Sequence, residues 1–165
     1  MVRRYIAAVD ALSRFFGLVA TLLLIAAMLV VCQMIFMRYV FRAPTIWQTD
    51  FVVFTATAAV FLGAPYVLLR KGHVGVDVIE LMVAPNTRRI LGLVGSVLGL
   101  AFCAAMFVAS LIYFHDAWAN GWTTSSIAAI PLWQPLLPLP IGFALLCLQY
   151  LAEIMKLGLG VEQPA

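Results

Sequence analysis

Not one aspartate, glutamate, lysine, arginine or histidine falls within residues 15–37, 51–69, 90–114 or 133–152 of this 165-residue chain. Each stretch has the ~20 residues needed to cross ~30 Å of hydrocarbon, so the sequence predicts an all-α membrane protein with four transmembrane helices. The same absence excludes much chemistry. Pumps, proton-coupled carriers and haem anchors place titratable or coordinating groups inside the bilayer, where a charge costs at least ~2.5 kcal/mol and marks a working site. Cysteine is scarce as well: Cys32, Cys103 and Cys147 all fall within apolar stretches, without CxxC spacing and in odd number. Neither a metal site nor a disulfide framework follows from them, and packing roles do. No Gly-rich phosphate loop and no GxSxG context for Ser125 and Ser126 are present, and the two histidines, His73 and His115, stand at helix ends. The chain reads as no enzyme and as needing no cofactor.

What is present fits a membrane lodger. Hydrophobic residues make up 65% and charged residues 10%, which is too apolar for a soluble domain and points to one four-helix membrane domain over residues 1–165. The formal charge of +3 is not a nucleic-acid footprint, because the basic residues stand in pairs at helix ends rather than in a stripe. Counting them on alternate sides of four spans puts Arg3, Arg4, Arg14, Arg70, Lys71, Arg88, Arg89 and Lys156 on one side, and Arg38 and Arg42 on the other. By the positive-inside rule both termini are cytoplasmic. The first stretch is too long for a signal-peptide core and is followed by Arg38 and Arg42 rather than a small-residue cleavage site, so it is expected to be retained.

The connections have their own signals. Residues 1–14 form an amphipathic lead-in expected to run straight into the first spanning helix, with Tyr5, Ile6, Val9 and Leu12 at helical spacing and Asp10 four residues before Arg14. Pro44 and Thr45 break the chain before Trp47, an interfacial anchor. Gly63 and Pro65 should bend the second helix near its far end. Between the second and third helices, Val76, Ile79 and Val83 share one side of a helix and Asp77 and Glu80 the other, ahead of Pro85 and Asn86. The pattern predicts a short amphipathic interfacial helix over residues 76–83. Alternation of Val74, Val76 and Val78 also suits a strand, but an isolated strand beside a membrane leaves its backbone unpaired.

Helix three carries Gly92, Gly95 and Gly99, then Ala101, Ala105 and Ala109, a recurrence that lets helices approach closely. Gly92, Gly95, Gly99 and Ala105 are the candidate packing residues. Helix four opens in Pro131, Pro135, Pro138 and Pro140, which must fall in its first turns or kink it. Gln33, Thr55, Thr57, Ser96 and Gln149 are the notable polar groups in the spans, better suited to bonds between helices than to an ion path. Arg42, Trp47 and Asp50 form a candidate docking corner, because Arg38 and Arg42 stand where basic residues are otherwise missing.

The run Arg38-Tyr39-Val40-Phe41, then Trp47-Gln48-Thr49-Asp50, Phe61-Leu62-Gly63-Ala64 with Tyr66, and Gly72-His73-Val74 with Val76-Asp77 resembles the small membrane subunit of tripartite ATP-independent periplasmic (TRAP) transporters, the DctQ-like family. Ser126, Ala128, Pro131 and Trp133, followed by Pro138 or Pro140, Gly142 and Gln149, are similar to that family's SxAxxPxW and PxGF pattern. The likeness covers residues 35–150. Asp50, where the family more often has Glu, and Pro65, where it more often has a small residue, depart from it. The resemblance implies a bacterial inner-membrane scaffold that braces a large multi-helix membrane subunit, while a periplasmic solute-binding receptor delivers a small anionic solute and sodium drives its passage. The residues alone leave open a self-contained homo-oligomeric transporter or channel, lined by Asp50, Gln33 and the threonines of helix two, and a haem or quinone anchor, for which the spans lack histidine.

Overall fold

A computed structural model describes residues 2–70, 85–126 and 129–159. Their elements are α1 (Val2–Val40), α2 (Trp47–Leu69), α3 (Pro85–Ala119), the single turn α4 (Trp133–Leu136) and α5 (Pro138–Leu159). Four helical segments are long and apolar enough to cross a membrane: Val2–Val40, Trp47–Leu69, Ile90–Ala119 and Trp133–Leu157. The predicted interfacial segment, with Val76, Asp77, Ile79, Glu80 and Val83, lies outside the described residues.

Two helices run past the uncharged stretches that announced them. α1 absorbs the amphipathic lead-in without a break and, at 39 residues, reaches about 58 Å, well beyond a ~30 Å hydrocarbon layer. α3 starts at Pro85, five residues ahead of its uncharged stretch; at the first helical position the missing N–H of proline costs nothing. α2 continues past Pro65 to Leu69. The proline cluster divides the last span instead, with α4 ending at Leu136 and α5 starting at Pro138, which has no amide to carry the helix across the junction.

The packing centres on α5. α1 lies against α2, and α5 touches α1, α2 and α3, so that α3 is held mainly through α5. Small side chains make these approaches possible. Along α1 the buried positions are Val9, Ser13, Gly17, Ala20 and Ala27. A Cβ added at Gly17 would lie 2.6 Å from the Tyr66 ring of α2, and Gly63 faces Ala20. On the far side of α2, Pro65 lacks the amide that would donate to the Phe61 carbonyl. Gly142 of α5 covers that oxygen so closely that a Cβ there would lie 2.6 Å from it. The Phe61 and Phe143 rings meet beside it, 5.6 Å between centroids.

The helices thus have two ends. At one, the start of α1 meets the close of α2 and α5; at the other lie residues 41–46 and the connection before α4. The second connection is tied by its own bonds. Thr124 N–H donates to the Ile130 carbonyl at 2.8 Å and Leu132 N–H to the Trp122 carbonyl at 2.8 Å, closing a single antiparallel bridge between Thr123 and Pro131. Trp118 meets Trp133 at a tilt, 4.8 Å between ring centroids, which anchors α4 to the end of α3.

Candidate interaction surfaces

At the terminal end a polar cluster joins the first and last helices. Asp10 and Ser13 stand one turn apart on α1, and Gln149, Glu153 and Lys156 occupy one face of α5 at spacings of four and three. Ser13 Oγ donates to Gln149 Oε1 at 2.7 Å, and Gln149 Nε2 donates to Asp10 Oδ1 at 3.3 Å. Lys156 Nζ donates to Asp10 Oδ1 at 2.9 Å and to Glu153 Oε1 at 3.0 Å. Lys156 is 5% exposed and Gln149 fully buried, so these are charge-assisted bonds largely withdrawn from water. The i,i+4 spacing on α1 suggests an Asp10 to Arg14 pair, but the carboxylate turns inward to Lys156 instead, where with Glu153 it helps offset the desolvation of the buried ammonium.

At the opposite end lie Arg42, Trp47 and Asp50. The Met37 carbonyl accepts from the Phe41 and Ala43 amides, and the chain reverses through Arg42 at φ 49°, in the left-handed region. Arg38 Nη2 donates to Thr45 Oγ1 at 2.9 Å, holding the loop against the end of α1. Trp47 is exposed and sets its ring edgewise on Phe51, 6.3 Å away. Asp50 falls in the first turn of α2, where the helix dipole favours a carboxylate. Its Oδ2 and the Oε1 of Gln48 are buried without a hydrogen-bond partner among the described residues. All three corner residues therefore belong to one end of the α1–α2 pair, with the guanidinium and the indole at its surface and the carboxylate half-buried.

Residues 27–158, four-fifths of the chain, match the profile of the family described as "Tripartite ATP-independent periplasmic transporters, DctQ component". The chain belongs to the DctQ family. It is thus a multi-pass inner-membrane component of a transporter. Among curated proteins, it is 28% identical over 138 residues to the "C4-dicarboxylate TRAP transporter small permease protein DctQ" of Vibrio cholerae, covering 71% of this chain and 60% of the relative. It is 29% identical over 115 residues to the protein of the same description from Pseudomonas aeruginosa, covering 64% and 54%. The aligned region thus spans little more than half the length of these relatives.

In this DctQ-family chain the α3 candidates divide between two directions. Gly99 lies under the Tyr150 ring of α5, with a Cβ placed 2.6 Å from it, and Gly92 comes within 3.8 Å of Leu157 on the same terms. Gly95 has open space around its Cβ position, and Ala105 is exposed. Of the polar span residues, Gln149 bonds across helices, whereas Thr57 turns back to the Val53 carbonyl of its own helix. Lys156, Glu153 and Ser13 escaped the sequence reading as a unit, as did the close contacts at Gly17 and Gly142. The repeat Ser13, Gly17, Ala20, Ala27 at helical spacing was the available signal for α1. Nothing local announces Gly142, whose partner oxygen is created by a proline on another helix.

Proposed function

We propose that this chain is the non-catalytic scaffold subunit of a sodium-coupled, receptor-dependent secondary transporter for a small anionic organic solute, bracing a large multi-helix membrane subunit. The observation that carries this reading is the distribution of charge. Every described ionisable side chain except the cysteines and tyrosines lies toward one of the two helix ends, and the outer faces of α1 and α3 between them are apolar, with Leu22, Met28, Leu29, Leu98, Phe102 and Ile112 all more than half exposed. Such a surface suits lipid and another membrane subunit, and gives a solute nothing to hold. The curated relatives are described as C4-dicarboxylate transporter components, which supports a dicarboxylate-like solute here.

The eight basic residues on one side support a topology with both termini in the cytoplasm. Arg42, Trp47 and Asp50 then face the periplasm and form part of the surface on which the receptor or the large subunit docks. Uptake in proteoliposomes tests the reading. The large subunit and the receptor should move solute only when this chain is present, and this chain alone should move none; uptake by this chain alone would support a self-contained carrier instead. Arg42→Glu should lower uptake by the whole assembly, more at low ionic strength, with insertion unchanged. Normal uptake at every salt concentration would remove this corner from the docking surface.

A further inference from the structure

Between α1 and α2 at the terminal end runs an open groove whose walls carry Arg14 and Arg70. Arg14 immediately precedes the first uncharged stretch and Arg70 immediately follows the second, so the antiparallel pair brings two guanidinium groups to the same level, at a boundary between hydrocarbon and water. We propose that this groove binds the headgroup of an anionic phospholipid, its phosphate taken between Arg14 and Arg70 and an acyl chain laid along the apolar side of α1.

Four observations support it. Both arginines are exposed, and neither has an ion pair among the described residues. Asp10, the carboxylate in the groove, already accepts from Lys156 at 2.9 Å and from Gln149 at 3.3 Å, so its charge is met from the other side. Arg70 is placed rather than free, its guanidinium carbon standing 5.9 Å from the centroid of the Tyr66 ring, which in turn lies against Gly17. Finally, the groove wall turns apolar away from the arginines, through Leu18 and Leu69, and continues on α1 into exposed Leu22 and Ile25. A guanidinium fork matches phosphate oxygens in pairs, and an acyl chain needs an uncharged path beside it. Free phosphate would use only the first half of this arrangement.

Native mass spectrometry of the full-length chain, purified within its membrane complex, delipidated and titrated with phosphatidylglycerol or phosphatidylcholine, tests the site. Wild type should retain phosphatidylglycerol in preference to phosphatidylcholine. R14A/R70A should reduce that preference by about 30-fold, as expected for two basic residues at an anionic surface, and each single alanine variant by about fivefold. R14K/R70K should keep part of it, and R3A/R4A, at the same end but outside the groove, should keep all of it. Inorganic phosphate at millimolar concentration should leave the lipid bound. Equal retention of the two lipids by wild type, an unchanged preference in R14A/R70A, or displacement of the lipid by phosphate would each overturn the proposal.

Discussion

Replacing Lys156 with Met keeps the length of the side chain and removes its charge, leaving Asp10 and Glu153 face to face where the ammonium stood. Both carboxylates bond that ammonium, at 2.9 and 3.0 Å, and their side chains are only 21% and 13% exposed. Breaking a buried pair from one side typically costs about 3–5 kcal/mol, because the surviving charge is stranded. The partial exposure of Asp10 lets water relieve some of that, which puts the expected loss near the lower figure, about 3 kcal/mol. For a chain of this size the loss corresponds to a fall of roughly 10 °C in the unfolding midpoint, measurable by following the detergent-solubilised protein through size-exclusion chromatography after heating. The triple variant Asp10→Asn, Glu153→Gln, Lys156→Met should recover most of the loss, since removing every charge removes the desolvation as well. A midpoint for Lys156→Met within one degree of wild type would refute the reasoning. So would a triple variant less stable than the single one, because the neutral side chains should cost less than the stranded carboxylates.

Gly142→Ala should destabilise by roughly 2–3 kcal/mol in the same thermal assay, its methyl group directed at a backbone oxygen that cannot retreat, whereas Gly95→Ala should be neutral or gain up to about 1 kcal/mol from helix propensity. Arg42→Gly should raise stability by about 1 kcal/mol, because glycine holds a left-handed φ without strain; a lower midpoint would mean that the arginine side chain contributes more than its backbone costs. Single cysteines at Thr87 and Ser125, in a background without the native three, should react with an impermeant reagent from opposite sides of the membrane, and labelling from one side would contradict the proposed topology.

The four spans were legible because hydrocarbon tolerates no charge, and a run free of Asp, Glu, Lys, Arg and His reports that directly. Their ends were not legible on the same terms. Asp10 and Arg14 close the uncharged run, but the helical spacing of Tyr5, Ile6, Val9 and Leu12 continues across them and α1 carries them without interruption, since a helix satisfies its own backbone wherever the bilayer ends. The cluster around Lys156 was hidden for a different reason. Spacing along one helix reveals neighbours three and four residues apart, and Asp10 and Arg14 fit that rule, but the partner actually taken lies 146 residues away. Small-residue spacing on α3 singled out Gly99 without naming the Tyr150 ring it lies under, and the equally tight approach at Gly17 depends on a tyrosine whose position no local pattern discloses.

Pro65 and Gly142 bear on how well the membrane stays electrically sealed. Phe61 lies almost midway along the uncharged stretch of α2, so the oxygen that Pro65 leaves without an amide sits at the depth where water is most costly. An open carbonyl at that level would draw in a water molecule, and a chain of such molecules is the beginning of a leak for protons or sodium. Gly142 brings its backbone against that oxygen, so close that even a methyl group there would clash with it. The pairing lets α2 drop one helical hydrogen bond at mid-membrane while the carbonyl left behind stays covered by protein.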